Sequence, residues 1–276
     1  MQSVYERFYV TRLTELSVNR FKWNNLPVSV DPRFLEMTLL NNGLAVFFQD
    51  ENMAAGIGED GAYMALPATP AGQHNPTNNP TKFQINAVNY PNKKQLSARE
   101  CVPIWANVTR TSDRDLVDIY AHRLASLDMT LDINAMNARR TKTVVADENT
   151  RLSGANAARL IEEGAPVVYT NTPLESMISV VDFAVDPKSI ETLHVYKVRL
   201  WNECMMLLGI QGANQDKKER LVADEVHANK EQVDLNEHNA LATRQLAAEQ
   251  INRKYGTNIS VEFVTQENAF SAIDGG

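Results

Sequence analysis

The stretch from Ser112 to Ala138 contains neither glycine nor proline, and it constrains the fold more than any other part of the sequence. Acidic residues lie at its beginning and Arg139 and Arg140 at its end, and charges placed in this way stabilise a helix by interacting favourably with its macrodipole. Ser112 and Asp115 have the spacing of a capping box. Apolar residues recur at spacings of 4, 4, 3 and 4, which places one face of a helix against a core: Leu116, Tyr120, Leu124, Leu127 and Leu131. We therefore predict a helix over 112–138, about 40 Å long at 1.5 Å per residue.

A second long helix is predicted over 187–208. Asp186 is placed to cap it, Pro187 suits the first helical position, and Gly209 follows its end. Its apolar face is formed by Ile190, Leu193, Tyr196, Leu200, Cys204 and Leu207. Further helices are predicted over 2–22, 34–41 and 233–255, the last two ending at Gly43 and Gly256.

The remaining segments are predicted to be strands and loops. Between the two long helices, strands over 143–146 and 166–169 flank a helix over 155–163, which together form a small α/β insert. Residues 67–92 contain five prolines, so we predict a long loop there, with one short strand over 83–88. Strands are also expected over 44–48 and 258–264.

The chain is acidic, with 27 Lys and Arg against 34 Asp and Glu and a net charge of −7. Binding of nucleic acid through the overall field is therefore excluded, and such a function needs a local basic patch or a channel. The two cysteines, Cys101 and Cys204, are far apart and are expected to be reduced, buried thiols. No stretch approaches the ~18 apolar residues of a membrane span, so no membrane partner is expected.

Motifs for catalysis and for cofactors are missing from the sequence. It contains no phosphate-binding glycine loop, no GxSxG turn and no HExxH pair. Four potential metal ligands lie near one another, but a solvated polar helix is the stronger interpretation of Glu225, His227, Glu231 and His238. We predict no catalytic residue, no cofactor and no metal.

Two blocks of sequence carry a resemblance to a known family. The first is Trp23-Asn24-Asn25-Leu26-Pro27, followed by Asp31-Pro32 and by Phe34-Leu35-Glu36. The second runs from Trp201 to Phe263 as a helix, a glycine turn, a loop with two lysines and a second long helix closing at 250–256. In these blocks the chain resembles the upper collar protein (head–tail connector, or portal) of the small short-tailed Bacillus podophages, the Picovirinae-like group. Because the blocks lie near opposite ends and keep the family's order, the resemblance spans nearly the whole chain.

The resemblance implies an α+β, mainly helical portal fold that assembles as a ring, expected to be a dodecamer. Helices 2–22, 112–138 and 187–208 would form a stalk of long tilted helices, with a small α/β clip and a wide-end wing. The implied segments are 1–110 for the N-terminal stalk helix and wing, 111–140 for a stalk helix, 141–172 for the clip, 173–210 for a stalk helix, 211–232 for a channel loop, and 233–276 for the wide-end helix and strand.

The implied function is structural and non-enzymatic. The ring would sit at one capsid vertex of the virion, after assembly in the host cytoplasm, and double-stranded DNA would be packaged and ejected through it. Its expected partners are the major capsid protein, the scaffold, the lower collar or tail protein and a separate packaging ATPase. A different collar or tail adaptor ring, without a DNA-gripping loop, stays open as an alternative, as does an unrelated helical enzyme.

The resemblance also indicates candidate site residues. Lys217, Lys218 and Arg220 fall in the channel loop, where they would contact phosphates without reading sequence, although composition alone favours a solvated loop. Lys188 is a further candidate for facing the channel. The sequence begins Met1-Gln2-Ser3-Val4-Tyr5 and lacks the basic arm with which the family contacts a packaging RNA, so the resemblance does not support an RNA partner.

Overall fold

The structure is a computed structural model that describes residues 4–50, 63–90, 94–138, 142–144, 159, 178–180, 187–210 and 223–264. Its helices are α1 (Val4–Val18), α2 (Pro32–Asn42), α3 (Arg114–Ala138), α4 (Pro187–Leu207) and α5 (Ala223–Tyr255). Its strands are β1 (Phe21–Asn24), β2 (Leu44–Gln49), β3 (Tyr63–His74), β4 (Pro80–Ile85), β5 (Gln95–Ser97), β6 (Val102–Trp105), β7 (Lys142–Val144), β8 (Ile178–Val180) and β9 (Ser260–Phe263).

The chain divides into two compact units, and the divisions fall inside α3 and α4. Unit one consists of residues 1–124 and 200–276, and unit two of residues 125–199. In unit one, an antiparallel sheet has the strand order β5-β4-β3-β2-β6. Strand β2 lies between β3 and β6 and is apolar at nearly every position, because both of its faces are covered.

The two faces of β2 contribute to different cores of unit one. Ala45 and Phe47 pack on one side with apolar residues of α2, α5 and the β1–β9 pair. Val46 and Phe48 pack on the other side with the interior of the curved sheet, including Phe83. Since side chains of a strand alternate between faces, a one-residue slip of β2 would exchange these two sets.

Strand β1 pairs antiparallel with β9, and this pairing brings together distant parts of the sequence. Phe21 lies opposite Phe263, and Trp23 lies opposite Val261. The helix predicted over 2–22 is therefore too long at its end, since α1 stops at Val18. Tertiary pairing prevails over the helical pattern there, because alternate residues of 21–24 are buried in the strand.

The long loop predicted over 67–92 is wrong, because most of it belongs to β3 and β4. Prolines are tolerated in these strands because β3 changes partner midway. Its first half, up to Pro67, pairs with β2, and its second half, which contains Pro70, pairs with β4. Pro70 thus has no β2 neighbour on one side, where a missing N–H breaks no ladder bond, whereas Pro67 lies at the end of the β4 ladder, where its carbonyl accepts from the N–H of Asn86. The strand predicted over 83–88 corresponds to the end of β4, which stops at Ile85.

Local end signals place the other helices of unit one as predicted. The carboxylate of Asp31 accepts a hydrogen bond of 2.9 Å from the backbone N–H of Arg33, and Pro32 occupies the first helical position of α2. Gly43 ends α2 with φ +74°. The hydroxyl of Ser112 accepts from the N–H of Arg114 at 3.0 Å, two residues on, whereas the predicted capping box requires the N–H of Asp115.

In unit two the structure describes parts of α3 and α4 and one strand pair. Lys197 donates to Asp128 at 2.5 Å, an ion pair that joins α4 to α3. Strand β7 confirms part of the strand predicted over 143–146, but among the described residues it pairs with β8. The strand predicted over 166–169 lies outside the described residues, and so does the helix predicted over 155–163 apart from residue 159.

The remaining predictions differ in accuracy. Those over 34–41, 44–48, 112–138, 187–208 and 258–264 are confirmed as α2, β2, α3, α4 and β9 within a few residues. The predicted channel loop over 211–232 is too long, because α5 begins at Ala223 and residues 223–232 are helical. Residues 223–232 contain no glycine or proline, so nothing in them interrupts the helix between Ala223 and the predicted beginning at 233.

Both cysteines are free and buried, as predicted. Burial raises the pKa of the Cys101 thiol to about 11 and that of Cys204 to about 12, so both stay neutral at physiological pH. None of the described helices combines the length and the apolar character that crossing a bilayer requires.

Candidate channel and assembly surfaces

The three residues predicted to grip DNA, Lys217, Lys218 and Arg220, lie outside the described residues. The structure does describe both flanks of their segment, the end of α4 at Leu207 and the beginning of α5 at Ala223. The geometry of these flanks determines where the predicted channel loop leaves and rejoins the fold.

The chain leaves α4 through a tight glycine turn. Gly209 has φ +71°, a left-handed conformation that favours glycine. Its N–H donates to the carbonyl of Met206 at 3.0 Å, and the N–H of Ile210 donates to the carbonyl of Met205 at 2.8 Å. These bonds satisfy carbonyl groups that the last helical turn would otherwise leave free.

Two side chains from distant parts of the sequence also hold this end of α4. The amide of Asn236 in α5 donates to the carbonyl of Met206 at 3.0 Å. The guanidinium of Arg20 donates to the carbonyl of Leu208 at 2.7 Å. Cations at helix C-termini are stabilised by the macrodipole, so Arg20 is well placed both for its charge and for its hydrogen bonds.

Arg20 is itself a buried cation with several partners. It donates to the carbonyl of Ser17 at 3.1 Å and to the carboxylate of Asp113 at 3.1 Å. Burial lowers the pKa of Arg20, as does the nearby Arg244, whereas Asp113 raises it. Arg20 thereby joins the end of α1, the beginning of α3 and the end of α4.

A second buried arginine lies nearby. Arg244 of α5 is 1% exposed and forms a two-pronged ion pair with Glu36 of α2, with N–O distances of 2.9 and 2.8 Å. It also donates to the carbonyls of Ala106 and Ala240, both at 2.8 Å. The indole N–H of Trp23 donates to the same Glu36 carboxylate at 2.8 Å. Both charges are thus fully hydrogen-bonded, which a buried ion pair requires.

The ring of Phe21 connects the two arginines. The guanidinium carbon of Arg244 lies 4.0 Å from its centroid, and that of Arg20 lies 5.3 Å away. Contacts of this kind are favourable cation–π interactions. We call Arg20, Phe21, Trp23, Glu36 and Arg244 the arginine junction.

The arginine junction gives a structural role to the first block of resemblance. Trp23 and Glu36 belong to that block, and their side chains are directly hydrogen-bonded. Asn252 belongs to the second block, where its amide group donates to the carbonyl of Ile259 and accepts from the N–H of Ile259, both at 2.7 Å. The sequence showed these residues but not their contacts, and it gave no signal for Arg20 or Arg244.

Lys188, the fourth candidate, is exposed in the first turn of α4 in unit two. Helical spacing places it on one face with residues three, four, seven and eleven positions further along the helix. A shallow hollow runs along this face and is lined by Lys188, Glu191, Thr192, Val195 and Arg199, among others. The face therefore carries a cation at each end and one carboxylate between them.

Apolar side chains are exposed on several helices. Val4 and Phe8 of α1 are 71% and 60% exposed, and Leu235 and Leu246 of α5 are 61% and 56% exposed. In unit two, Ile133 and Tyr196 are also exposed. Side chains of this size at the surface are typical of protein–protein contacts when they lie in patches.

The four potential metal ligands of the sequence all lie on α5, where His238 is exposed. The side chains of Glu225, His227 and Glu231 are outside the described part of the structure. Within the described part, no three His, Cys, Asp or Glu side chains are grouped in a way that could hold a metal ion.

Comparison with known proteins identifies the family. The chain is similar in structure to a chain of "Portal and tail of native bacteriophage P68", with a TM-score of 0.53, 16% identity and coverage of 98% of this chain and 90% of that one. It is also similar to a chain of the virion of a native gene transfer agent particle, with a TM-score of 0.50, 12% identity and coverage of 97% and 82%. An HK97 family phage portal protein from Corynebacterium diphtheriae gives a TM-score of 0.49 at 13% identity, with coverage of 100% and 99%.

The first two similarities show the fold and agree with the predicted α+β portal architecture. The assignment to the Bacillus podophage group stays a prediction. The family model described as Phage Connector (GP10) matches residues 2–267, nearly the whole chain. The chain therefore belongs to the phage connector family, the head–tail connector or portal proteins of bacteriophages.

Proposed function

We propose that twelve copies of this chain form a ring at one vertex of a phage capsid, and that double-stranded DNA is packaged and later ejected through it. The ring joins the head to the tail and is a component of the virion after assembly in the host cytoplasm. Its partners are the major capsid protein, the scaffold, the lower collar or tail protein, and a packaging ATPase formed by another chain. Membership of the connector family supports this proposal.

The observation that carries ring assembly is the exposure of large apolar side chains in both units. Closed rings need two different, complementary patches on each subunit, because each copy contacts its neighbours head to tail. Val4 and Phe8 on α1 and Leu235 and Leu246 on α5 supply apolar surface on two separate helices. Burial of that surface between neighbours would stabilise the ring, against the entropy that the subunits lose on association.

The exposed face of α4 supports a role in the channel. Lys188 and Arg199 are separated by eleven residues, about 16 Å along a helix at 1.5 Å per residue. In a ring, each would form one circle of positive charge, with the circle of Glu191 between them. Contacts of this kind reach phosphates and not bases, so they allow DNA of any sequence to move.

Lys217, Lys218 and Arg220 remain proposed as the residues that grip DNA from the channel loop. The support is their place in the sequence between two helix ends that the structure describes. The end of α4 is held by Arg20 and Asn236, so the loop begins from a fixed point. Elsewhere the ring would carry a large negative charge, since each copy contributes −7, and this charge would keep the DNA centred.

The first test is the assembly state of the purified protein. Negative-stain microscopy is expected to show rings with an open pore. The solution mass is expected to be about 370 kDa, twelve times the 30.9 kDa of one chain. A monomer that persists after the capsid and scaffold proteins are added would contradict the proposal.

Removing the channel lysines is expected to weaken the hold on DNA. In heads carrying Lys217→Ala and Lys218→Ala, or Lys188→Ala, retention of packaged DNA at 200 mM salt should fall by about ten-fold or more, because each lost phosphate contact weakens binding several-fold. Retention is measured as the DNA content of purified heads.

Lys82→Ala is the matched control, because Lys82 is an exposed lysine on β4, outside the proposed channel segments. It should leave retention unchanged. If the double variant at 217 and 218 retains DNA as well as the unmodified protein, the collar or tail adaptor alternative becomes the better explanation.

A further inference from the structure

A small basic cavity that opens widely to solvent lies at the surface of unit one, between the last turns of α5 and the connection from β5 to β6, and its cationic residues Arg99, Arg253 and Lys254 are exposed. Its volume is about 270 Å³, and its walls include Arg99, Cys101, Gln250, Arg253 and Lys254. None of these residues belongs to the candidate channel segments. We call this site the basic cavity.

The charge of the basic cavity is opposite to that of the chain as a whole. Three of its lining side chains are cations, and no carboxylate lines it. The chain has a net charge of −7, so such a grouping stands out from the average surface. Among the described residues, neither Arg99 nor Arg253 has a carboxylate within ion-pair distance, so both guanidinium groups are available to an anion.

Glu100 lies between the lining residues Arg99 and Cys101, and its charge interacts with that of Lys254. Glu100 accepts a hydrogen bond of 2.7 Å from the backbone N–H of Ser97, and this bond lowers the pKa of Glu100. Glu100 therefore binds the turn at the end of β5 and does not line the cavity. Cys101 brings no negative charge either, because its buried thiol is neutral at physiological pH.

The walls of the cavity are joined by hydrogen bonds. Lys254 donates to the carbonyl of Arg99 at 2.7 Å, and the hydroxyl of Tyr255 donates to the carbonyl of Glu100 at 3.0 Å. These bonds fix the end of α5 against the turn that carries Arg99. A site whose walls are already in place loses less entropy when it binds a ligand.

We propose that the basic cavity binds a backbone phosphate of double-stranded DNA, which makes it a DNA contact separate from the channel. Guanidinium groups donate two parallel hydrogen bonds and therefore match the oxygens of a phosphate in geometry as well as in charge. The proposal rests on DNA being a partner of this protein. Free inorganic phosphate has the same chemistry, so the experiment must distinguish it from DNA.

Covalently closed circular DNA separates this site from the channel, because a molecule without ends cannot thread a closed ring. Binding of a circular plasmid to purified rings is measured by filter binding over a series of salt concentrations. With Arg99→Gln and Arg253→Gln together, the affinity should fall about ten-fold or more. The slope of log Kobs against log salt should become shallower by roughly 0.9 for each engaged subunit, because each cavity engages one phosphate.

The matched control removes the same charge elsewhere in unit one. Arg33 and Lys82 are both exposed and lie outside the cavity, so Arg33→Gln with Lys82→Gln should bind the plasmid like the unmodified protein. Lys188→Ala rings should also bind it normally, even where they lose packaged DNA. Circular dichroism and microscopy confirm that each variant is folded and assembled.

Several results would overturn the proposal. The proposal fails if the unmodified protein does not bind the plasmid, or if the cavity variant binds it as well as the unmodified protein does. It also fails if the control variant weakens binding as much as the cavity variant. If calorimetry shows that inorganic phosphate binds the unmodified protein but not the cavity variant, while both bind the plasmid equally, the cavity takes free phosphate instead. Because one chain supplies all the cavity walls, the comparison also holds for protein that forms no ring, and failed assembly is seen separately by microscopy.

Discussion

Replacing Arg244 with methionine is expected to destabilise the protein by about 3–5 kcal/mol, since removing one partner of a buried ion pair leaves an uncompensated charge. The carboxylate of Glu36 would lose both of its bonds to Arg244 and, among the described residues, would retain only the indole N–H of Trp23. With Glu36 3% exposed, water cannot replace those bonds. Urea unfolding followed by circular dichroism should show a lower midpoint, while the slope of the free energy of unfolding against urea concentration stays unchanged.

The protein concentration must be fixed in this experiment, because oligomer formation makes apparent stability depend on concentration. A suitable surface control is Arg114→Met. Arg114 pairs with Asp118 at 2.9 Å, but the two side chains are 32% and 47% exposed. Exposed pairs of this spacing contribute about 0.5 kcal/mol or less, so the control should hardly shift the midpoint.

The double variant Glu36→Met with Arg244→Met tests whether the loss of stability in Arg244→Met comes from the unpaired charge of Glu36. It removes both buried charges together, so it should be more stable than Arg244→Met alone, as is common when a buried pair is replaced by apolar side chains. Part of the loss should remain, because the carbonyl of Ala106 and the indole N–H of Trp23 would each lose a partner. A double variant as unstable as the sum of the two single variants would show that the pairing of charges is not the reason.

The residues of the arginine junction show why sequence reasoning finds helices more readily than contacts. Asp31, Pro32, Pro187 and Gly209 are local signals, and each marks a helix end where the structure has one. Glu36 and Arg244, by contrast, are 208 positions apart, and no local pattern relates them. An arginine in an Ala-rich and Gln-rich helix is usually solvated, so the sequence offered no reason to place Arg244 inside.

The errors in the predicted fold have the same origin. Phe21 continues an apparent helix until its pairing with β9 is known, and its partner Phe263 lies about 240 residues away. The prolines of β3 indicate a loop until it is clear that the strand changes partner between β2 and β4. Among the candidate channel residues, Lys188 is exposed on α4, but its place in the channel and the roles of Lys217, Lys218 and Arg220 stay predictions.

Gly209→Ala is expected to lower the free energy of unfolding by about 2–4 kcal/mol, nearly as much as the loss of Arg244, because it combines two costs. An alanine at φ +71° is strained by about 1–2 kcal/mol in the left-handed region. Its Cβ would also lie 2.7 Å from the backbone nitrogen and 2.9 Å from the Cα of Glu237, so α4 and α5 would have to move apart. The measurement is again the urea midpoint at fixed protein concentration.

Gly256 provides the matched control for this prediction. It has nearly the same backbone angle, φ +70°, but a Cβ there would meet nothing within 4 Å. Gly256→Ala should therefore show the strain alone, about 1–2 kcal/mol, and the difference between the two variants measures the close contact of the α4 turn with α5. Equal losses would mean that α5 yields at Glu237 without cost.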